Sequence, residues 1–597
     1  MRRTQLISPF GVGAITDFRN DEALMCAGLD VWFTAAGGAP PETLKFREER
    51  LQQRLGVEFF VRPPEFSDSE GGPRIRVPHV RFPQWHYCPR CFRMAKATLF
   101  GDQPRCDSPA CTGGRQGRRM IPVRIVSVCE TGHIQDFPFR SWVNCPENDA
   151  ASCKLHFKAG RSSASLAGIK IECTTCNHMK TLAGAFDKGA LASMNVHCDS
   201  ARPWLGEESG AAGCGTPLQV VQRGGSNVYF PLVVSSIYIP PAQTEASRDI
   251  RRVLDRPEIW ENIKSQRVDG KVNEAIVRFV ANMQNVDYAE LLKAAQAKLD
   301  REENGTVSAS TEEEYRRQEH DVLMAGLGDP RSELFVEATD RAAYGWLSNY
   351  VSQISLVRKL RETRVLAGLS RLMPKSSPGE DGVQPLALAV TRWRPAIEVR
   401  GEGIFIEFDV DKIQEWVASN ASSKARIEKL VTDYNARRLM RRLSRREIDT
   451  RFMMLHTFAH VLIKELTFTC GYGSASLRER LYCNLEDPNL PMNGLLIYTA
   501  SGDAEGTLGG LVSQAEPGRL ERIVASALRR AMWCSNDPVC MESPGAGVNT
   551  ANLAACHGCV LLPETSCEEG NRLLDRAMLI GTIEDASVGF FRGAPII

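Results

Sequence analysis

The stretch from Tyr87 to Cys111 reads YCPRCFRMAKATLFGDQPRCDSPAC, with Cys88-x2-Cys91 and, after fourteen intervening residues, Cys106-x4-Cys111. Each short spacing turns the chain so that two thiolates face one point, and two such knuckles joined by a hairpin make the tetrahedral site of a zinc ribbon. Unrelated core thiols have no reason to fall in such pairs.

Working outward, the next cysteines repeat the theme less strictly. ECTTCNHM supplies Cys173-x2-Cys176, and Cys198 and Cys214 follow at longer spacings, the last in the glycine-rich turn ESGAAGCG. These four are expected to form a second site. Between the two lie Cys129, His133, Cys145, Cys153 and His156. They complete a third site, or else they are small core thiols and capped turn histidines. Near the C-terminus, Cys534, Cys540, Cys556, Cys559 and Cys567 offer five donors for the four places of a structural zinc, so one is spare. The reading is two to four zinc ions. Sites closed on all four sides leave no position for a reactive water, so none of the clusters is expected to be catalytic in itself.

The totals fit this picture. A chain of 597 residues exceeds one core, and 43% apolar residues suffice to fold most of it. Nineteen cysteines in clustered pairs point to metal in a reducing compartment rather than to disulfides. Lys+Arg 73 against Asp+Glu 72 leaves a net charge of +1, which excludes nucleic-acid binding by overall charge and confines any DNA contact to a local patch. No apolar run is long enough to span a membrane, and Pro9, Gly11, Gly13 and Asp17 interrupt the segment after Arg2 and Arg3, so a cytoplasmic location is expected.

The expected architecture is an α+β multidomain chain. It has a strand and loop region at 1–80 and a cysteine-rich, zinc-ribbon-like region at 81–241. A mainly helical middle with polar linkers follows at 242–449, then a C-terminal α/β zinc-binding domain at 450–597. Helical periodicity is read from about 242 to 370, broken by DREENGTVSASTEEEYRRQEHD, with strand-like ALAVTRW and GIFIEFDV after it.

Two segments could carry chemistry beyond zinc. HTFAH sets His456 and His460 one helical turn apart, but Thr457 stands where a zinc protease needs its glutamate, and no third ligand falls at motif spacing. The pair is either packed in a core with both imidazoles hydrogen-bonded or turned toward a phosphate or partner. ARRLMRRLSRREIDTRF reads as a helix carrying Arg437, Arg441 and Arg445 in one row, with Arg438, Arg442 and Arg446 beside it. Such a stripe suits DNA phosphates or a partner; a solvated, carboxylate-paired face is the alternative. No glycine is followed by Lys-Ser or Lys-Thr in the frame of a phosphate-binding loop, so no ATPase of that type is expected.

RRTQLISPFGVGAITDF, CETGHIQDFPF and the segment from HTFAHVLIKEL to ACHGCVLLPETSCEEGNRLLDRAML together resemble the DrmB family of the DISARM anti-phage system. The last part, about 450–597, is similar to the zinc-binding domain fused behind the motor in helicases such as MrfA. The shared ending is matched by Cys556, Cys559, Cys567, Asn571, Leu574 and Asp575. The resemblance implies that the motor is a separate chain, a DrmA-like helicase, and that this chain, itself no enzyme, supports the helicase in binding and moving on DNA. Two other readings compete: a metal-dependent nuclease or hydrolase using His456, His460 or the His133 region, and a freestanding DNA-binding protein using the arginines of 437–446.

Overall fold

The computed structural model describes the chain except residues 20, 35–36, 66–75, 109–110, 112–116, 147–152, 160–167, 211–212, 241–249, 251–252, 255, 268–270, 304–311, 376, 441–442, 484–490, 500–509, 548–549 and 596–597. Helices and sheets mix throughout, and the chain divides into two compact units. One holds Met1–Ser236 and Thr363–Ile397; the other holds Ile237–Glu362 and Glu398–Ile597.

The first unit contains several small antiparallel sheets. Trp85–Tyr87 lies between Met94–Lys96 and Ile121–Pro122, Ile125–Val128 lies between Ile134–Asp136 and Gln219–Gln222, and Ile169–Cys173 lies between Leu155–Ala159 and Met179–Thr181. Strands this short bury too little to be stable as isolated sheets. An aromatic cluster of Trp85, Phe137, Phe139, Trp142 and Phe157 supplies apolar contact among them, with Phe137 and Phe139 at 4.9 Å and Phe137 and Trp142 at 5.6 Å between ring centroids.

The second unit is organised around the helix Thr450–Cys470. Asp449 caps its start by accepting the Phe452 amide, and Gly471, with φ of 70°, ends it. Its residues are buried on every side from Phe452 to Ile463, which makes it a core helix rather than an amphipathic surface one. Leu477–Cys483 runs antiparallel to Asn493–Thr499, which pairs antiparallel with Gly403–Glu407 of the strand Trp393–Phe408. Alternate residues of a strand face opposite sides. Glu479 accordingly meets the core helix, while Arg480 points the other way and binds Glu319 of the helix Glu312–Ala325 at 2.6 and 2.9 Å. Pro257–Ser265, Glu274–Gln284 and Tyr288–Glu303 form a small helical core of their own around Ile263, Val277, Leu291 and Leu299.

Two expectations about the middle of the chain are corrected. Helix does not continue to about 370, because Val351–Ser370 is a twenty-residue strand. It is buried over most of its length, so the polar alternation that marks a half-exposed strand is missing, and Ile354, Val357 and Leu360 fall at helical spacing by coincidence. The arginine-rich segment is not one helix either. Ala421–Met440 ends before it is complete, and 443–449 has no regular structure.

Candidate metal centres

Among the described residues, four cysteine-rich groups of donors assemble, each with its ligand atoms within 4.8 Å of one another. Cys88, Cys91, Cys106 and Cys111 form the first, on the hairpin that follows Trp85–Tyr87, with Cys88 and Cys111 Sγ atoms 3.8 Å apart and Cys91 and Cys106 at 3.5 Å. Cys145, Cys153, Cys173 and Cys176 form the second, where Cys145 to Cys176 is 3.6 Å. The third joins Cys129, His133, Cys198 and Cys214, with Cys129 Sγ 3.5 Å from His133 Nδ1. The fourth joins Cys534, Cys540, Cys556 and Cys559, with separations of 3.5, 3.7 and 3.6 Å.

These separations carry a chemical meaning. A disulfide would hold its sulfurs at about 2.05 Å, and all of these cysteines are free. A tetrahedron with zinc–sulfur bonds of about 2.3 Å has edges of about 3.8 Å, close to what is found. The residues therefore fit zinc. Within three of the groups one thiol is lowered and others are raised: hydrogen bonds outweigh burial at Cys88, Cys173 and Cys556 and bring them to about 7, 6 and 6, whereas burial and the neighbouring sulfurs push Cys106, Cys145 and Cys540 up. The donors are the amides of Cys91 and Arg90 for Cys88, the amides of Cys176 and Thr175 for Cys173, and the Asn536 side chain with the Cys559 amide for Cys556.

The expected quartet of Cys173, Cys176, Cys198 and Cys214 is not assembled; it is split between two groups. Cys173 ends the strand Ile169–Cys173, whose register with Leu155–Ala159 places Leu155 opposite Cys173 and so draws Cys153 in beside it. Cys129 and His133 flank the tight hairpin between Ile125–Val128 and Ile134–Asp136, where Gly132 has a φ of 91°. Strand Gln219–Gln222 pairs with that same hairpin and brings Cys214 close. His156 joins neither group.

Cys567 is the spare C-terminal donor. It lies apart from the fourth group and sits 3.2 Å from His456 Nε2. His456 and His460 are fully buried on the core helix, and Thr457 accepts the Asp575 amide at 3.0 Å. The residues that end the shared pattern also have places. Asn571 clasps Leu562 through both its amide groups, and Asp575 binds Arg426 at 2.7 and 3.2 Å.

The arginines diverge. Arg446 makes two 2.7 Å bonds to Glu569 and packs over Phe452, so its guanidinium is already paired. Arg437 donates to the Asp433 carbonyl and to Thr550, and Arg438 to the Ser444 carbonyl. Arg445 is exposed, and Arg441 and Arg442 lie outside the described residues. The single row expected of Arg437, Arg441 and Arg445 needs a continuous helix that the chain does not form.

The chain is 31% identical to the DISARM protein DrmB of Bacillus paralicheniformis over 583 residues, covering 92% of this chain and 96% of that protein. It belongs to the DrmB family. In this DrmB-family chain the MrfA Zn-binding domain matches residues 458–560, which contain the whole fourth cysteine group, and a domain of unknown function, DUF8724, matches residues 2–230, which contain the other three. Zinc is thus the cofactor on both counts, donor chemistry and family. No helix among the described residues is long and apolar enough to cross a membrane. Sequence reasoning missed Glu479 as a neighbour of the histidine pair; the signal was three consecutive charges, Arg478, Glu479 and Arg480, inside the otherwise apolar strand LRERLYC.

Proposed function

We propose that this chain is a non-catalytic, zinc-stabilised subunit that associates with a separate DrmA-like helicase and supports its binding to and translocation on DNA in anti-phage defence. The observation that carries the reading is the near full-length relationship to a DISARM protein DrmB together with a matched MrfA Zn-binding domain, in a sequence without a phosphate-binding loop. The closed character of the cysteine groups supports a structural rather than a hydrolytic use of the metal. Four zinc ions would be held by the four groups described above.

The fourth group also offers a contact surface. Trp533 and Val539 adjoin Cys534 and Cys540, which belong to one cluster, and they are 71% and 77% exposed. Large apolar side chains held outward on a rigid knuckle are what a partner would cover. Phe468, also exposed, stacks under Arg530 near the end of the core helix.

The test is DNA-dependent ATP turnover by the helicase with and without this chain, and by this chain alone. Stimulation of the helicase, with no turnover by this chain, is expected. An unchanged helicase rate would overturn the accessory role, and DNA cleavage by this chain alone with a divalent metal would restore the hydrolase reading.

A further inference from the structure

His456, His460, Glu479 and Cys567 converge on one point in the core of the second unit, with one donor atom from each within 4.8 Å of the others. His456 Nε2 is 3.1 Å from Glu479 Oε1 and 3.2 Å from Cys567 Sγ, and His460 Nε2 is 3.6 Å from Glu479 Oε2. A tetrahedron with bonds of about 2.0–2.3 Å has edges of roughly 3.3–3.8 Å, so the spacing resembles that of the four cysteine groups. We propose that these residues form a fifth site, a closed one for a divalent transition metal of zinc type, that pins the core helix, the strand Leu477–Cys483 and the segment after the fourth cysteine group to one another.

Three further observations favour a metal over a plain hydrogen-bonded cluster. His460 Nε2 and Glu479 Oε2 are buried and make no hydrogen bond, although they face each other. A proton on His456 Nε2 can make only one linear bond, yet both a carboxylate and a thiol crowd it. The outer contacts of three of the four residues are arranged as for ligands, while His456 Nδ1 makes no hydrogen bond. His460 Nδ1 lies 3.1 Å from the Val560 carbonyl, which leaves its Nε2 lone pair facing inward; the Asn571 amide donates to Cys567 Sγ and the Glu568 amide to Glu479 Oε1, each at 3.2 Å.

Charge fits as well. The four side chains are shut off from solvent more completely than the cysteine groups, where Cys556, Cys559, Cys145 and Cys176 are partly exposed. One carboxylate and one thiolate balance a divalent ion, leaving a neutral complex, which is the form a dry interior tolerates. On binding, Cys567 gives up its proton to solvent and both imidazoles coordinate in neutral form. His456 and Cys567 lie outside the 458–560 segment matched by the MrfA Zn-binding domain.

The experiment uses the full chain. Metal analysis is expected to give five equivalents per chain, and an anomalous difference map collected above the zinc edge is expected to show a peak among these four residues. Glu479→Gln and Cys567→Ser should each remove one equivalent and leave the four cysteine groups loaded. Four equivalents with no anomalous peak at this point would overturn the site, as would a fifth equivalent that survives both substitutions. Because the map is measured on the unsubstituted chain, it decides the matter even if a variant fails to fold.

Discussion

Replacing Cys176 and Cys198 together separates the assembled grouping from the one that spacing suggests. If the second group is Cys145, Cys153, Cys173 and Cys176 and the third is Cys129, His133, Cys198 and Cys214, the two cysteines serve different ions. Structural zinc is bound with an apparent free energy of about 10–16 kcal/mol, so one of four donors accounts for roughly 3–4 kcal/mol, a loss of about two to three powers of ten in affinity. A chelator of intermediate strength then strips the damaged site and spares intact ones. Cys176→Ser and Cys198→Ser should each lose one zinc per chain by elemental analysis after dialysis, and the double variant should lose two. By the same logic, Cys145→Ser combined with Cys176→Ser should lose only one, because both donors belong to one ion and their effects cannot add. Far-UV circular dichroism on each single variant shows whether the neighbouring site has stayed folded. A Cys176→Ser, Cys198→Ser double variant that loses no more zinc than either single one would refute the grouping.

Other outcomes follow from the same structure. Asp136 is half-buried, and the desolvation of its carboxyl pushes it up to about 6 against the favourable Lys96 charge and the Gln84 and Trp85 amides. A carboxyl whose folded-state pKa is raised costs stability once it ionises, so Asp136→Asn should stabilise the protein at pH 8 by up to about 3 kcal/mol. That gain should hold near pH 8 and shrink as pH falls through about 6 toward 4, measured as the difference in denaturant midpoint; a gain independent of pH would show that the carboxyl is not the cause. Arg480 and Glu319 are both almost wholly buried, and Tyr482 donates to the same carboxylate at 3.2 Å. Arg480→Met should therefore destabilise by about 3–5 kcal/mol by leaving that charge uncompensated, and Arg480→Met with Glu319→Leu should recover most of the loss. A double variant as unstable as the single would contradict this. On the proposed accessory role, Trp533→Ala should leave zinc content unchanged but weaken association with the helicase by about tenfold or more in a titration, since an exposed aromatic has little part in the fold; undiminished affinity would count against a contact at this knuckle.

Zinc as the cofactor was legible in the linear spacing of Cys88, Cys91, Cys106, Cys111, Cys173 and Cys176, because a knuckle is a local structure whose geometry a two- to four-residue gap imposes wherever the fold places it. The absence of a phosphate-binding loop and the family ends were legible for the same reason: they are contiguous patterns. Which distant cysteines complete each knuckle was decided only by strand register. Leu155 opposite Cys173 brings Cys153 into the second group, and the pairing of Gln219–Gln222 with Ile125–Val128 sends Cys214 to His133. The order of residues does not fix those partners, since a register shift of one residue would turn each of these side chains to the opposite face of its sheet. The arginine row failed because it assumed one helix, whereas the helix ends at Met440 and 443–449 has no regular structure, with Asn435 bonding both backbone groups of Arg446. His456 and His460 show the division most clearly. Their spacing on one turn follows from the sequence, but the carboxylate and thiol that meet them come from a strand nineteen residues beyond His460 and a loop more than a hundred residues away, and only the packing of that buried helix brings the four together.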